Sequence, residues 1–259
     1  MAFLRGLRSL VSVLLVGLWF AFGSLVLRLV VVPFCWVAPG RRHRTVGLYM
    51  KMMSHGIFIC LRAGGARVAR HGRIPTHEPV FVVANHQSLT DILQVTLMST
   101  PLVPAFVTRT RYERWIPLVS TSARLLGSPF VDPKRDAGGA VRRIEKAARE
   151  LENGLLIFPE GHRSRDGSIL PFRGTGLETM LRARPLPVYL VLNEGVHRVA
   201  SFADLLFRVH LIDARSEVMG PFHPPADPSE LPAFAKGLRQ ALVDRLAQHR
   251  AAAATTARG

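Results

Sequence analysis

The chain has 259 residues, enough to bury the core of one domain with a small appendage. Its 34 lysines and arginines against 18 aspartates and glutamates give a net charge of +16, which indicates an anionic partner such as nucleic acid, phospholipid headgroups or a phosphorylated substrate. Two cysteines exclude a disulfide framework. We expect Cys35 and Cys60 to be reduced thiols in a cytoplasmic domain.

The N-terminal part of the chain is apolar. Residues 10–27 carry no charge, and the apolar run resumes after Arg28. This stretch can span a hydrocarbon core, which takes about 18 residues or more. A cleaved signal peptide is the alternative, since basic residues precede the run, but no convincing small-residue cleavage site ends it. We therefore predict that residues 1–44 are a retained, membrane-associated helical segment.

The placement of charge suggests how this segment meets the membrane. Arginines lie before and after the run, and basic flanks tend to stay cytoplasmic. As one helix, residues 10–38 would be about 43 Å long, more than the roughly 30 Å of hydrocarbon. We predict a hairpin that bends at Gly23 and Pro33 and dips into the cytoplasmic leaflet, in preference to a single span. The rest of the chain then lies on the cytoplasmic face of the inner or plasma membrane. Anionic lipid is favoured over nucleic acid, for which no motif is present.

The next elements alternate between helix and strand. The patterns predict, in order, a helix over 45–63, a polar strand or loop in "RVARHGRIP", a buried strand "PVFVVA", a helix over 88–99, a buried strand "LVPAFVT", a helix over 113–126 and a short strand "SPFVD".

The second half continues in the same way. The patterns predict a long amphipathic helix over 136–153 ended by Gly154, strands in "LLIFP", "RARPLPVYLVLNEG" and "FRVHLIDA", and a final helix with Phe234, Leu238, Leu242 and Leu246 on one face. We predict one α/β domain over 45–250, with a mostly parallel sheet flanked by helices, and a disordered tail over 251–259.

Two polar motifs follow predicted strands. "NHQSLTD", residues 85–91, offers His86 and Asp91 as a base and its orienting carboxylate. The alternative is a core histidine and a helix cap, since Ser88 and Asp91 match a capping box; both interpretations can hold together. "FPEGHRSRDG", residues 158–167, also emerges at the carboxyl end of a strand, the edge where ligands bind open α/β sheets.

With these motifs about seventy residues apart, the sequence resembles the glycerolipid acyltransferases of the 1-acylglycerol-3-phosphate (PlsC-like) type. His86 and Asp91 match the first block of that family, and "GSPFVDPKR" resembles the second. Glu160, Gly161, Arg163 and Ser164 match the third block, in which His162 replaces a threonine. Pro187 and Val188 fit the fourth block loosely.

The resemblance implies roles for these residues. His86 and Asp91 are expected to be catalytic. Glu160, Gly161, Arg163 and Ser164, with Arg135 of the second block, are expected to bind the acceptor and its phosphate. Glu160 is expected to orient Arg163 or the acceptor hydroxyl, and a structural ion pair of Arg163 with Glu160 or Asp166 is the alternative.

The chemistry of the residues agrees with acyl transfer. An alcohol that attacks a thioester loses a proton, and neutral imidazole is a suitable base near pH 7. No Gly-x-Ser-x-Gly motif is present, so direct attack by the acceptor is the simpler mechanism. Arg163 can hold two phosphate oxygens, and Arg173 with nearby glycines offers a weaker phosphate site. We predict no metal ion, although His86, Asp91, Glu160 and His162 could be combined as ligands, and His162 is expected to tune the acceptor pocket.

The sequence therefore predicts a membrane-bound acyltransferase with no cofactor, which takes an acyl group from acyl-CoA or acyl carrier protein as co-substrate. The expected acceptor is a lysophospholipid, first 1-acylglycerol-3-phosphate, with another lysolipid such as a lyso-aminolipid as the alternative. A membrane-anchored thioesterase or esterase with the same residues, and a non-catalytic lipid-binding protein, are the alternatives from other classes.

Overall fold

A computed structural model of the protein describes residues 2–115, 117–197 and 206–256. Its strands are β1 Arg67–His71, β2 Ile74–Pro75, β3 Phe81–Ala84, β4 Ser99–Thr100, β5 Ala105–Phe106, β6 Thr108–Arg109, β7 Phe130–Val131, β8 Leu155–Ile157, β9 Val188–Glu194 and β10 Asp213–Phe222. Its helices include α1 Ala2–Val26, α2 Val32–Val37, α3 Arg42–Ala63, α4 Thr90–Met98, α5 Tyr112–Trp115, α6 Pro117–Leu125, α7 Ala137–Glu150, α8 Gly174–Ala183 and the last helix, which we call α9, Leu231–Thr256.

The central sheet has six strands in the order β1-β10-β9-β3-β8-β5. Only the β9–β10 pairing is antiparallel, and the other four are parallel. All residues of β3 and β8 are buried, which explains their unbroken apolar sequences, because a strand covered on both faces has no solvent side. One group of packed helices contains α1, α3, α4 and α6, and another contains α7, α8 and α9. The predicted α/β class is confirmed.

The helix predicted over 45–63 is present as α3, and the last helix buries Leu238, Leu242 and Leu246 as predicted. The strand predicted in residues 207–214 is wrong in position. Residues Val209–Leu211 form a 3-10 turn, and β10 begins only at Asp213. Val209 and Ile212 are buried three residues apart, a spacing that suits a tight turn and not a strand.

The last helix also differs from its prediction, because it continues to Thr256. Residues 251–256, placed in a disordered tail by the sequence, are therefore helical, and 257–259 lie outside the described residues. Packing continues almost to this end, since His249 is buried and its Nε2 lies 2.7 Å from Oε2 of Glu217 on β10. Four consecutive alanines, the strongest helix formers, then extend the helix.

The N-terminal helices form a hairpin, but not the one predicted. From Ala2 to Val37 the helix is continuous, with a π-helical stretch at Leu27–Val31 and no reversal at Gly23 or Pro33. The reversal lies at Pro39–Arg41, so the second arm is α3. Among the described residues, four hydrogen bonds join the antiparallel arms: Arg8 Nη2 to the Ala63 carbonyl (3.1 Å), Ser12 Oγ to the Cys60 carbonyl (2.7 Å), Trp19 Nε1 to the Met53 carbonyl (3.1 Å) and the Tyr49 hydroxyl to the Gly23 carbonyl (2.9 Å).

Close approach of these arms depends on small residues. A Cβ at Gly56 on α3 would lie 2.2 Å from Nε1 of Trp19, so only glycine lets the indole pack there. Because α3 also packs on α4 and α6, the first helix lies against the domain. Within the described residues, Leu4–Val37 is long and apolar enough to cross a membrane, and 17% of its most apolar window is buried. The stripe on its open face comprises Leu4, Leu7, Val11, Leu14, Leu18, Phe22, Leu25 and Leu29.

Candidate active site

The two polar motifs meet at one edge of the sheet. β3 and β8 are parallel neighbours, with Val83 opposite Ile157, so the residues that follow each strand emerge together. The His86 amide donates to Glu160 Oε1 (3.0 Å), and the His86 carbonyl accepts from the Ser164 amide (2.7 Å). The second motif therefore holds the backbone of His86 on both sides.

His86 and Asp91 form the predicted pair. Nδ1 of His86 lies 2.8 Å from Oδ2 of Asp91, and the imidazole stacks on Phe158 with ring centroids 4.3 Å apart. Asp91 is fully buried, whereas the side chain of His86 is 18% exposed. A carboxylate at Nδ1 favours the tautomer with its proton on that nitrogen, which leaves the Nε2 lone pair free to accept a proton. Among the described residues, no hydrogen-bond partner of Nε2 is present.

Asp91 also binds the backbone at the start of α4, as the helix-cap interpretation expects, while its catalytic role stays a prediction. Its Oδ2 accepts from the Gln87 amide (2.6 Å) and the Ser88 amide (2.7 Å) as well as from the imidazole. The helix itself begins at Thr90, whose amide lies 3.3 Å from Ser88 Oγ. Because three donors converge on one oxygen, the carboxylate is fixed before any substrate arrives.

Glu160 binds backbone amides, and its predicted role in acceptor binding stays a prediction. It is fully buried, and its second oxygen accepts from the Leu170 amide (3.3 Å), so it holds the backbone on two sides and does not reach Arg163. The pKa of Glu160 is raised to about 7, chiefly by burial and also by Asp91, against the lowering effect of the two backbone amides and Arg239. Ser164 is also buried, and its hydroxyl donates to Asp166 (2.9 Å).

Arg163 is exposed, and the ion pair considered from the sequence is not formed. Asp166 is occupied by the amide of Ser168 and by the hydroxyls of Ser164 and Ser168. These hydrogen bonds, those from Ser168 first, lower the pKa of Asp166. Arg163 is thus left available for an external anion.

Gly161 is the centre of a group of cations. Its φ of +71° requires a residue without a side chain, and a Cβ there would lie 3.2 Å from Cδ of Arg173. Nη2 of Arg109, at the end of β6, donates to the Gly161 carbonyl. We call Arg109, Arg163 and Arg173 the arginine cluster. In the part of the chain that the structure describes, no carboxylate pairs with any of them.

Arg135 lies apart from these contacts. It is strongly exposed, in the turn before α7, and its Nε is 3.9 Å from Asp132. Arg135 comes four residues after Val131, and Val131 pairs with Arg109 between β7 and β6. Its predicted role in acceptor binding stays a prediction.

No three histidine, cysteine, aspartate or glutamate side chains of the described residues come close enough together to hold a metal ion. His162, one of the four residues combined in that alternative, is exposed. Asp91 and Glu160, two others, are fully buried and bind backbone amides. The geometry therefore gives this alternative no support.

Sequence reasoning missed two sets of contacts. Arg109 is the last residue of the two-residue strand β6 and belongs to no sequence motif. Asn85 and Asn193 form a buried clamp between the ends of β3 and β9: the Asn193 amide donates to Asn85 Oδ1 (2.6 Å) and the Asn85 side-chain amide donates to the Asn193 carbonyl (2.8 Å). Asn85, directly before His86, was the available signal, because an asparagine ending a buried strand needs partners.

A histidine–carboxylate pair at the carboxyl edge of a parallel sheet is an arrangement suited to proton transfer. Residues 65–192 match the family described as Acyltransferase. This part of the chain belongs to the acyltransferase family.

Individual relatives agree with this assignment. The chain is 29% identical over 191 residues to the lyso-ornithine lipid O-acyltransferase of Rhodobacter capsulatus, covering 67% of each chain. It is 27% identical over 173 residues to mouse 1-acyl-sn-glycerol-3-phosphate acyltransferase alpha, covering 65% of this chain and 58% of that protein. The match thus spans less than two thirds of the mouse enzyme.

A solved structure has the same fold. The crystal structure of the 1-acyl-sn-glycerophosphate acyltransferase PlsC of Thermotoga maritima superposes with a TM-score of 0.67 and 23% identity, covering 95% of this chain and 98% of that one.

Proposed function

We propose that the protein is a lysolipid O-acyltransferase that moves a fatty acyl group from acyl-CoA or acyl carrier protein to the free hydroxyl of a lysophospholipid. The observation that carries the proposal is the His86–Asp91 pair, 2.8 Å apart, with Nε2 of the imidazole free. The family of the chain and the names of its relatives support the reaction class.

In the proposed reaction the acceptor hydroxyl attacks the thioester carbonyl carbon while Nε2 of His86 takes its proton. The imidazolium formed is stabilised by Asp91, which is buried and already fixed by the Gln87 and Ser88 amides. When the carbon–sulfur bond breaks, the imidazolium returns the proton to the departing thiolate. No covalent enzyme intermediate and no cofactor are required.

We infer that the acceptor is anionic, with 1-acylglycerol-3-phosphate as the first candidate. A guanidinium binds a phosphate by two parallel hydrogen bonds, and the arginine cluster has no carboxylate partner among the described residues. Lyso-ornithine lipid is the alternative acceptor, supported by the relative from Rhodobacter capsulatus and by His162 in the third block.

A panel of acceptors and donors tests this proposal. Purified protein is incubated with lysophosphatidate, lyso-ornithine lipid or no acceptor, each with acyl-CoA or acyl carrier protein, and products are identified by mass spectrometry. We expect diacyl product that depends on acceptor, most with lysophosphatidate. Release of free acid alone, unaffected by acceptor, would make the protein a thioesterase.

Arg163→Lys should raise the Michaelis constant for the acceptor about tenfold, because the ammonium keeps the charge and loses the two-pronged geometry. The constant for the thioester should change little. Steady-state kinetics with each substrate varied in turn provide the measurement, with Arg142→Lys on the exposed face of α7 as the control. An equal effect on both constants would leave Arg163 as a structural residue.

We also propose that the N-terminal hairpin lies in the cytoplasmic leaflet without crossing it. The helix from Ala2 to Val37 would be about 54 Å long, well above the hydrocarbon thickness of roughly 30 Å. One of its faces packs on α3, which belongs to the domain, and its open face carries the apolar stripe. A helix held along its length by the domain cannot also leave it to cross the membrane.

Single cysteines at Ala2 and Arg42, with Cys35 and Cys60 changed to serine, distinguish the two arrangements. We expect an impermeant thiol reagent to label neither site in intact cells and both after permeabilisation. Labelling of one site alone in intact cells is the result expected of a single span and would overturn the leaflet arrangement.

A further inference from the structure

The last helix, α9, lies beyond the matched residues 65–192 and yet holds the loop that follows β8. Arg239 is half-buried on this helix, and its Nε donates to the Leu170 carbonyl (2.9 Å) while Nη2 donates to the Ile169 carbonyl (2.8 Å). A guanidinium that binds two successive carbonyls fixes both the position and the direction of that backbone.

The backbone that Arg239 binds is connected to His86, the candidate base, by further hydrogen bonds. The Leu170 amide donates to one oxygen of Glu160 (3.3 Å), and the other oxygen accepts from the His86 amide (3.0 Å). Four residues from three parts of the chain thus form one series of hydrogen bonds: Arg239, Leu170, Glu160 and His86. We propose that Arg239 is a positioning residue, which holds the imidazole of His86 in place through Leu170 and Glu160.

The positive charge of Arg239 also helps to hold His86 in place, because it acts on the ionisation of Glu160. The Glu160 carboxylate accepts most strongly from both amides when it is ionised, because protonation turns one oxygen into a donor and a weaker acceptor. The groups that face it are Asp91 on α4, which raises its pKa, Arg239 on α9, which lowers it, and the backbone amides of His86 and Leu170, which also lower it. Loss of the guanidinium therefore favours protonation of Glu160 near neutral pH.

The kinetic test of this inference rests on the proposed acyl transfer, whereas its test by hydrogen–deuterium exchange does not. With Arg239→Met, we expect kcat to fall about 10- to 100-fold and both Michaelis constants to change little, because the base is displaced and the binding groups are not. The acidic limb of the pH profile should move to higher pH, so that part of the loss is recovered at pH 8.5. Arg239→Lys, which keeps the charge and one donor, should recover most of kcat at pH 7.

Arg245→Met is the matched control. Arg245 lies on the same helix and forms a bidentate ion pair with Glu217, but none of its described contacts reaches the loop after β8. Arg245→Met removes an ion pair of α9 and leaves the contacts to the loop after β8 in place. It therefore reports the effect of a weakened helix alone. We expect it to keep the pH profile of the unaltered protein.

Hydrogen–deuterium exchange of the full chain in detergent provides the readout that needs no activity. Arg239→Met should speed exchange about fivefold to tenfold in the peptides that contain His86 and Leu170, and Arg245→Met should not. If the two variants exchange alike there, or if Arg239→Met keeps its kcat and pH profile, Arg239 is not a positioning residue. If Arg239→Met fails to fold, the same comparison is made with Arg239→Lys. If that variant has the same exchange and the same kcat at pH 6 as the unaltered protein, the proposal is overturned. If the unaltered protein transfers no acyl group, only the proposed function fails, and the exchange comparison still decides.

Discussion

His86→Ala is expected to reduce acyl transfer by a factor on the order of 10²–10⁴, the usual cost of losing a general base, while the protein stays folded and bound to vesicles. The proposed mechanism assigns the acceptor's proton to the imidazole, whose Nδ1 is held by Asp91 at 2.8 Å and whose ring stacks on Phe158. Its backbone contacts to Glu160 and Ser164 do not involve the side chain and survive the substitution.

The measurement is the initial rate of diacyl product formation, with circular dichroism and vesicle flotation as tests of folding and binding. His77→Ala provides the control, because His77 is exposed in the loop before β3 and no described contact links it to the site. Near-normal turnover by folded His86→Ala would show that the proposed mechanism is wrong.

Asp91→Asn is expected to lower kcat on the order of 10²–10⁴-fold. The amide oxygen can still accept from the imidazole, Gln87 and Ser88, but it carries no charge to stabilise the imidazolium. The new NH₂ group replaces Oδ1, a buried atom with no partner among the described residues, and so becomes an unsatisfied donor. Some loss of stability should therefore accompany the loss of rate.

Asp136→Asn is the control for Asp91→Asn, because it makes the same chemical change away from the site. Asp136 caps α7 by accepting from the Gly139 amide (2.7 Å), and asparagine caps a helix equally well, so rate and melting temperature should both stay close to those of the unaltered protein. Kinetics and thermal melts of the two variants are compared at one pH. A kcat for Asp91→Asn within tenfold of the unaltered enzyme would mean that Asp91 serves the backbone and not the chemistry.

Parts of the fold and of the candidate site could be predicted from the sequence because they depend on local sequence patterns. The buried strands β3 and β8 are short apolar runs, and parallel strands bring their carboxyl ends to one edge, so the meeting of "NHQSLTD" with "FPEGHRSRDG" followed from the sequence. His86 and Asp91 are five residues apart, and one short loop brings them together. The predicted strand in residues 207–214 failed because an apolar run this short does not distinguish a strand from a tight turn, and in the structure a 3-10 turn buries Val209 and Ile212 three residues apart.

The sequence by itself determined the α/β class, the apolar N-terminal helix, the histidine–aspartate pair and the exposed arginine beside it. Only the tertiary structure decided that Glu160 accepts from the His86 and Leu170 amides, that Arg109 donates to the Gly161 carbonyl, and that α3 is the partner of the first helix. The physical reason is the same in each case. A buried carboxylate or a guanidinium binds whichever backbone groups the packed chain brings within about 3 Å, and those groups lie 10 to 74 residues away with no local pattern to mark them.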